Sequence, residues 1–142
     1  MKLARALALA LACSAADAPA LAAAGPACGA DLRGATRGLA ESARYAVAFA
    51  PQGKPITVGR HFSLELAVCP RAQAAMPSTI KVDADMPLHQ HGMNYRATVK
   101  ALGAGRYRAD GLLFHMPGRW RFIFDLAVDG TTERLTREVD VE

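Results

Sequence analysis

The sequence has little that would hold it in a membrane or on a nucleic acid. Its first apolar run, residues 6–12 (ALALALA), is far shorter than the roughly 20 residues that a membrane helix needs, and no later stretch approaches that length. The charges, 17 Lys+Arg against 13 Asp+Glu, are interspersed rather than grouped by sign. A nucleic-acid site is therefore not indicated, and the domain is expected to be soluble.

Cysteine is also scarce, since the chain has three. Cys28 and Cys69 remain if the N-terminal segment is removed, and neither has a CxxC partner or a nearby histidine. Such a pair in an exported protein most often forms a disulfide, which here would join the start of the mature chain to the end of a strand. A thiolate metal site is the competing interpretation, and no local spacing favours it.

The N-terminus has the order of features of a secretory signal peptide. A short basic start precedes the apolar run, and small residues follow at cleavage spacing. Cleavage is expected after Ala24, with Ala20 as the alternative position, and a lipoprotein anchored through Cys13 is a competing interpretation. Residues 1–24 are thus predicted to be a signal peptide, and residues 25–142 a single domain exported to the periplasm.

The rest of the chain alternates apolar and polar residues with a period of two. This pattern predicts strands with one buried and one solvated face, as in an antiparallel sheet. The clearest strand begins at Trp120, whose side chain is expected to be buried. The alternating apolar positions are Tyr45, Val47 and Phe49; Phe62, Leu64, Leu66 and Val68; Ile80, Val82 and Ala84; Tyr95, Ala97, Val99 and Ala101; Trp120, Phe122, Phe124 and Leu126; and Val139 and Val141.

Turn residues separate these segments, including Asp129-Gly130, which predicts a tight hairpin before the last strand. Residues 30–43 are the one helical candidate, and Gly34 and Gly38 limit it to a turn or two. About seven short strands at regular spacing predict an all-β fold, an antiparallel β-sandwich of immunoglobulin-like kind.

Residues 86–95 (MPLHQHGMNY) hold two of the four histidines and two of the five methionines. In an extended segment, residues two apart face the same side, so His89, His91 and Met93 are expected to converge, with Met86 just before them. Imidazole nitrogen together with thioether sulfur suits copper, because sulfur stabilises Cu(I) and histidine serves either oxidation state. Zinc has little use for methionine. A polar turn with incidental packing methionines is the alternative interpretation.

A second segment with the same donors, residues 114–118 (FHMPG), follows at the end of a predicted strand. If it lies beside the first loop, His115 or Met116 would complete a set of soft ligands. Adjacent residues point to opposite faces of a regular strand, so only an irregular end, which the following Pro-Gly pair favours, would direct both at one ion. His61 is interpreted as a solvated residue at a strand start, and Met76 as a packing or surface residue.

Three stretches resemble the YtkA-like domain of small exported bacterial proteins: residues 85–93 (DMPLHQHGM), 105–107 (GRY) and 114–120 (FHMPGRW). The resemblance covers roughly residues 44–141, and that family is similar in architecture to the CopC-like periplasmic copper carriers. It implies an immunoglobulin-like sandwich and copper handling. The chain departs from the copper carriers in having no histidine at the start of the mature protein, where they hold an amino-terminal copper site.

The function predicted from these features is periplasmic copper binding, by a chaperone or buffer that passes copper to an exported cuproenzyme or a membrane transporter. The alternative is a metal-free interaction module that docks on a membrane complex. Catalysis is not expected, because no serine or cysteine nucleophile lies in a recognisable motif and no carboxylate pair has flanking catalytic residues. The candidate copper ligands are Met86, His89, His91, Met93, His115 and Met116.

Overall fold

The computed structural model describes residues 27–34 and 36–142, which form a β-sandwich of two sheets. The predicted signal peptide, with both cleavage positions and Cys13, lies outside the described residues. Within the described part, none of the helical structure is long and apolar enough to span a membrane. The elements in chain order are β1 Gly38–Glu41, β2 Tyr45–Pro51, β3 His61–Pro70, β4 Thr79–Met86, a 3-10 turn Pro87–His89, β5 His91–Gly92, β6 Thr98–Gly103, β7 Arg106–Leu113, β8 Gly118–Val128 and β9 Thr131–Val141.

One sheet has the strand order β1-β2-β3-β7-β6 and the other β5-β4-β8-β9, with antiparallel pairing throughout the described strands. The predicted all-β sandwich is confirmed, with nine strands where about seven were expected. The Asp129-Gly130 hairpin is also confirmed, because both residues have positive φ (47° and 77°) and join β8 directly to β9. Such a pair of positive φ angles matches the twist of the two strands.

Two strands were not predicted from the sequence, the two-residue β5 and β1, and β1 lies inside the helical candidate at residues 30–43. A single turn precedes it, and β1 then pairs along the edge of β2, with Gly38 opposite Phe49. A β-carbon on Gly38 would lie 2.1 Å from the Phe49 ring, so only glycine lets the backbone lie flat on that ring. The glycine that weakened the helical prediction therefore has a packing role in an edge strand.

The core lies between the two sheets and follows the predicted alternation. Trp120, Phe122, Phe124 and Leu126 of β8 all have no solvent exposure, so the prediction that Trp120 is buried is confirmed. Cys28 and Cys69 are joined by a disulfide, with their Cα atoms 5.9 Å apart. This confirms the predicted pairing, which ties the segment before β1 to the end of β3, and it leaves neither sulfur available as a thiolate metal ligand.

Three connecting segments meet at one end of the sandwich, which is called the histidine end below. They are residues 52–60 between β2 and β3, residues 87–97 between β4 and β6, and residues 114–117 between β7 and β8. They meet because β3 pairs antiparallel with β7, and β4 with β8, so each pair has one strand ending where the other begins.

Candidate metal centre

The first histidine segment is a turn rather than an extended strand. Met86 ends β4 in an extended conformation, Pro87–His89 forms the 3-10 turn, and Gln90 reverses the chain with φ of 54°. The chain then returns as β5, where His91 pairs with Met86. The extended conformation expected for this segment is therefore wrong from Pro87 to Gln90, and it is this chain reversal that brings the two histidine rings together.

Three imidazole rings lie next to one another in space at the histidine end, with His91 between the other two. The centres of the His89 and His91 rings are 5.9 Å apart, and those of His91 and His115 are 5.0 Å apart. His91 is the shared member and is half-buried, whereas His89 and His115 are exposed. The two sequence segments that carry these histidines are therefore adjacent in the fold.

The second segment has the irregular geometry that its Pro-Gly pair favoured. Residues 114–117 leave the strand conformation, and Gly118 has φ of 124°, a value that side chains rarely allow. A β-carbon on Gly118 would lie 2.9 Å from the terminal methyl group of Met86. Glycine is thus required both by the backbone and by the close approach of a candidate ligand beneath it.

Trp120 forms an aromatic wall beneath the histidines. Its ring stacks on Phe114, with centres 4.3 Å apart, and it meets the rings of His91 and His115 edge-on at 5.9 and 5.4 Å. Its indole N–H donates a hydrogen bond of 3.0 Å to the Met116 carbonyl. The sequence predicted a buried Trp120 but not its place against the histidines. Its position four residues after Met116, across a Pro-Gly turn, is the feature that could have indicated it.

The three candidate methionines are neighbours of the histidines in sequence or in strand register, but they differ in exposure. Met86 lies opposite His91 in the strand pair and is 1 % exposed, so it is part of the core. Met93 follows two residues after His91, is half-buried, and donates its backbone N–H to the Ala84 carbonyl at 3.0 Å. Met116 is also half-buried against the core and directly follows His115.

Harder donors are not gathered at this place. No group of three or more histidine, cysteine, aspartate or glutamate side chains within residues 27–34 and 36–142 is arranged to hold a metal ion. The nearby carboxylate of Asp85 is bound at both oxygens by Arg121, at 2.9 and 2.6 Å, and this hydrogen bonding raises the pKa of that guanidinium. The side-chain donors that remain beside the histidines are the methionine thioethers, and thioether sulfur favours a soft ion.

The two other residues considered in the sequence lie apart from this group. His61 is exposed at the start of β3 and meets the ring of Tyr95 edge-on, 5.0 Å between centres, at the histidine end. Met76 is 47 % exposed, and its methyl group approaches Gly105 at the opposite end of the sandwich. Both placements agree with the interpretation of these residues as solvated and surface side chains.

Comparison of the chain with family models, with curated proteins and with solved structures found no match. The three-histidine arrangement and its methionine neighbours are therefore interpreted from their own geometry.

Proposed function

We propose that this chain is an exported copper-binding protein that holds Cu(I) or Cu(II) at the histidine end and acts as a chaperone or buffer in the periplasm. The observation that carries this function is the meeting of His89, His91 and His115 within one small region. The resemblance of the two histidine segments to the YtkA-like domain points the same way. The role is one of binding and delivery, without catalysis.

The ring separations suit a shared ion. A histidine nitrogen lies about 2.0–2.1 Å from a bound metal, which puts each ring centre roughly 3 Å from it, so two histidines on one ion have ring centres within roughly 6 Å. The pairs His91–His115 and His89–His91, at 5.0 and 5.9 Å, both satisfy that limit. A shared ion would further require the side chains to rotate so that a nitrogen of each ring faces it.

The methionines decide which metal fits. A site built on His91 and His115 needs a third donor, and the neighbouring candidates are His89, Met93 and Met116. Thioether sulfur prefers Cu(I) and contributes little to zinc sites. Met86 is assigned chiefly to packing, because it is buried and its methyl group lies against Gly118. Ligands are therefore expected in the order His91 and His115, then His89, Met93 and Met116, with Met86 last.

The exposure of the site suits transfer rather than permanent storage. His89 and His115 are exposed, so an incoming ligand from another protein has access to the ion. An exported cuproenzyme or a membrane transporter is the proposed acceptor. The competing function is a metal-free interaction module that docks on a membrane complex, in which the histidine loop is a structural turn.

Titration of the mature chain with Cu(I), Cu(II) and Zn(II), followed by native mass spectrometry, separates the two functions. One tightly bound copper ion per chain, with Cu(I) retained more strongly than Zn(II), is the expected result. A chain that holds no metal would reject the copper function and leave the interaction module. A chain that holds zinc as firmly as copper would reject both.

A further inference from the structure

The three connecting segments of the histidine end carry positive charge and no carboxylate. Residues 52–60, 87–97 and 114–117 contain Lys54 and Arg60 in the first and Arg96 in the second, and none of the three contains aspartate or glutamate. Among the ion pairs of residues 27–34 and 36–142, these three cations have no partner.

The carboxylates near these segments offset only part of that charge. Those of Asp85 and Asp140, on the strands nearby, are already paired with Arg121 and Arg119. Asp83 lines the same cavity as Arg96 and offsets that cation, whereas Lys54 and Arg60 line a different cavity that contains no carboxylate. Glu142 follows β9 at this end, and the balance of the three cations with these two carboxylates remains positive.

The opposite end of the sandwich has a different arrangement. Its loop arginines are neutralised, because Arg44 pairs with Glu133 and Arg71 pairs with Glu41. The two ends of the domain therefore differ in the charge that they present to a partner.

The histidine end also carries the most exposed large apolar side chain of the described residues. Leu88, in the 3-10 turn beside His89, is 84 % exposed, and Tyr95 in the same connecting segment is 47 % exposed. Leu88 is not packed against the core, so the stability of the fold does not explain why a leucine stands at this exposed position. An apolar tip and a tyrosine among free cations, with no carboxylate in the segments, is the combination found on surfaces that lie in a lipid interface.

We propose that the histidine end docks reversibly on an anionic lipid surface, with Leu88 entering the headgroup region and Lys54 and Arg60 meeting lipid phosphates. A lipid surface accounts for the features better than an acidic protein does, because leucine is under-represented among the residues that dominate protein interfaces, whereas leucine, tyrosine and basic residues together serve interfacial attachment. Attachment is weak, since the cluster holds only two cations and one apolar tip.

Docking of this kind goes beyond copper binding and does not depend on it. It would turn the three histidines toward the membrane, where an acceptor embedded in the bilayer would meet them. It is therefore measured on the metal-free protein, so a failure of copper binding and a failure of docking are separate results.

Co-sedimentation with vesicles tests the docking. The mature, metal-free chain is mixed with vesicles of phosphatidylcholine alone and with vesicles in which phosphatidylglycerol replaces half of the lipid. Binding to the anionic vesicles only, weakening as salt is raised, is expected. Lys54→Gln with Arg60→Gln is expected to weaken binding about fivefold for each charge, or roughly 25-fold for the pair, and Leu88→Gln several-fold.

Matched variants distinguish docking through the histidine end from a general electrostatic attraction of the basic chain to anionic vesicles. Lys81→Gln with Lys100→Gln removes the same charge from exposed positions outside the connecting segments, and Leu102→Gln removes a leucine that is 57 % exposed at the far end of β6. Both are expected to bind as the wild type does. Equal weakening by the Lys81 and Lys100 pair would overturn the proposal. So would retention on immobilised polyglutamate without any binding to vesicles, which would assign this end to an acidic protein.

Discussion

Replacing Trp120 with alanine tests whether the aromatic wall under the histidines is also the centre of the core. The Trp120 side chain has no solvent exposure, stacks on Phe114 with 4.3 Å between ring centres, and donates a hydrogen bond to the Met116 carbonyl. Removing a large core aromatic costs about 3–5 kcal/mol. The abandoned carbonyl adds up to about 1 kcal/mol, because half-buried Met116 still allows water to reach it.

The free energy of unfolding of Trp120→Ala is therefore expected to fall by about 4 kcal/mol, a large share of the roughly 5–15 kcal/mol typical of a domain. Urea denaturation followed by far-ultraviolet circular dichroism measures it without a tryptophan signal. Ile123→Ala is the matched control, since Ile123 lies on the outer face of the same strand, and a loss below about 1 kcal/mol is expected there.

A loss below about 1 kcal/mol in Trp120→Ala, with an unchanged dependence on urea, would refute this account of the core. If the alanine variant does not fold, a phenylalanine variant gives the second test. Trp120→Phe keeps most of the ring but removes the N–H donor, so its expected loss is about 1–3 kcal/mol. A phenylalanine variant as stable as the wild type would show that the hydrogen bond to the turn contributes nothing.

The remaining predictions concern the disulfide, one glycine and one carboxylate. Reducing the Cys28–Cys69 bond, which spans 41 residues of sequence, is expected to lower the free energy of unfolding by about 4 kcal/mol, as measured by urea unfolding with and without reductant. Thiol labelling of unreduced, denatured protein should find neither cysteine free. Gly118→Ala should destabilise the fold by about 1–3 kcal/mol through backbone strain and the Met86 methyl group, and a neutral effect in thermal unfolding would contradict the geometry. Hydrogen bonds from Arg134 on β9 lower the pKa of Asp125 below 3.8, so the stability contributed by this ion pair is complete above that pH and is lost as pH falls through the lowered pKa. Asp125→Asn should flatten this acid limb of the stability profile, and an unchanged limb would exclude the ion pair as its source.

The fold could be predicted because alternation is a local property of the sequence. The apolar positions of β8, from Trp120 to Leu126, have the period of a strand, and all of them are buried. The two elements missed, β1 and β5, lack such a pattern. β1 depends on Gly38 fitting the ring of Phe49, and β5 is a two-residue pairing fixed by the turn before it.

The composition of the candidate site could be predicted, but its geometry could not. Two short segments rich in histidine and methionine indicated the donors, and the fold places both segments at one end. The approach of the His89 and His91 rings depends on the left-handed conformation of Gln90, which no residue pattern in the segment requires. The contact of Trp120 with His91 and His115 depends on the pairing of strands far apart in sequence, and the burial of Met86 beneath Gly118 does so too.

Copper affinity of the double variant His91→Ala and His115→Ala, compared with wild type, tests the central claim most directly. These two rings are the closest histidine pair, with 5.0 Å between centres, and both lie outside the regular part of the core. Competition with a chromogenic Cu(I) chelator measures affinity, circular dichroism confirms the fold, and His61→Ala is the matched single-histidine control at the same end. Loss of at least a hundredfold in the double variant, with His61→Ala unchanged, is predicted, because a site that loses two of three donors keeps little affinity. Equal affinity in the wild type and the folded double variant would contradict the copper site.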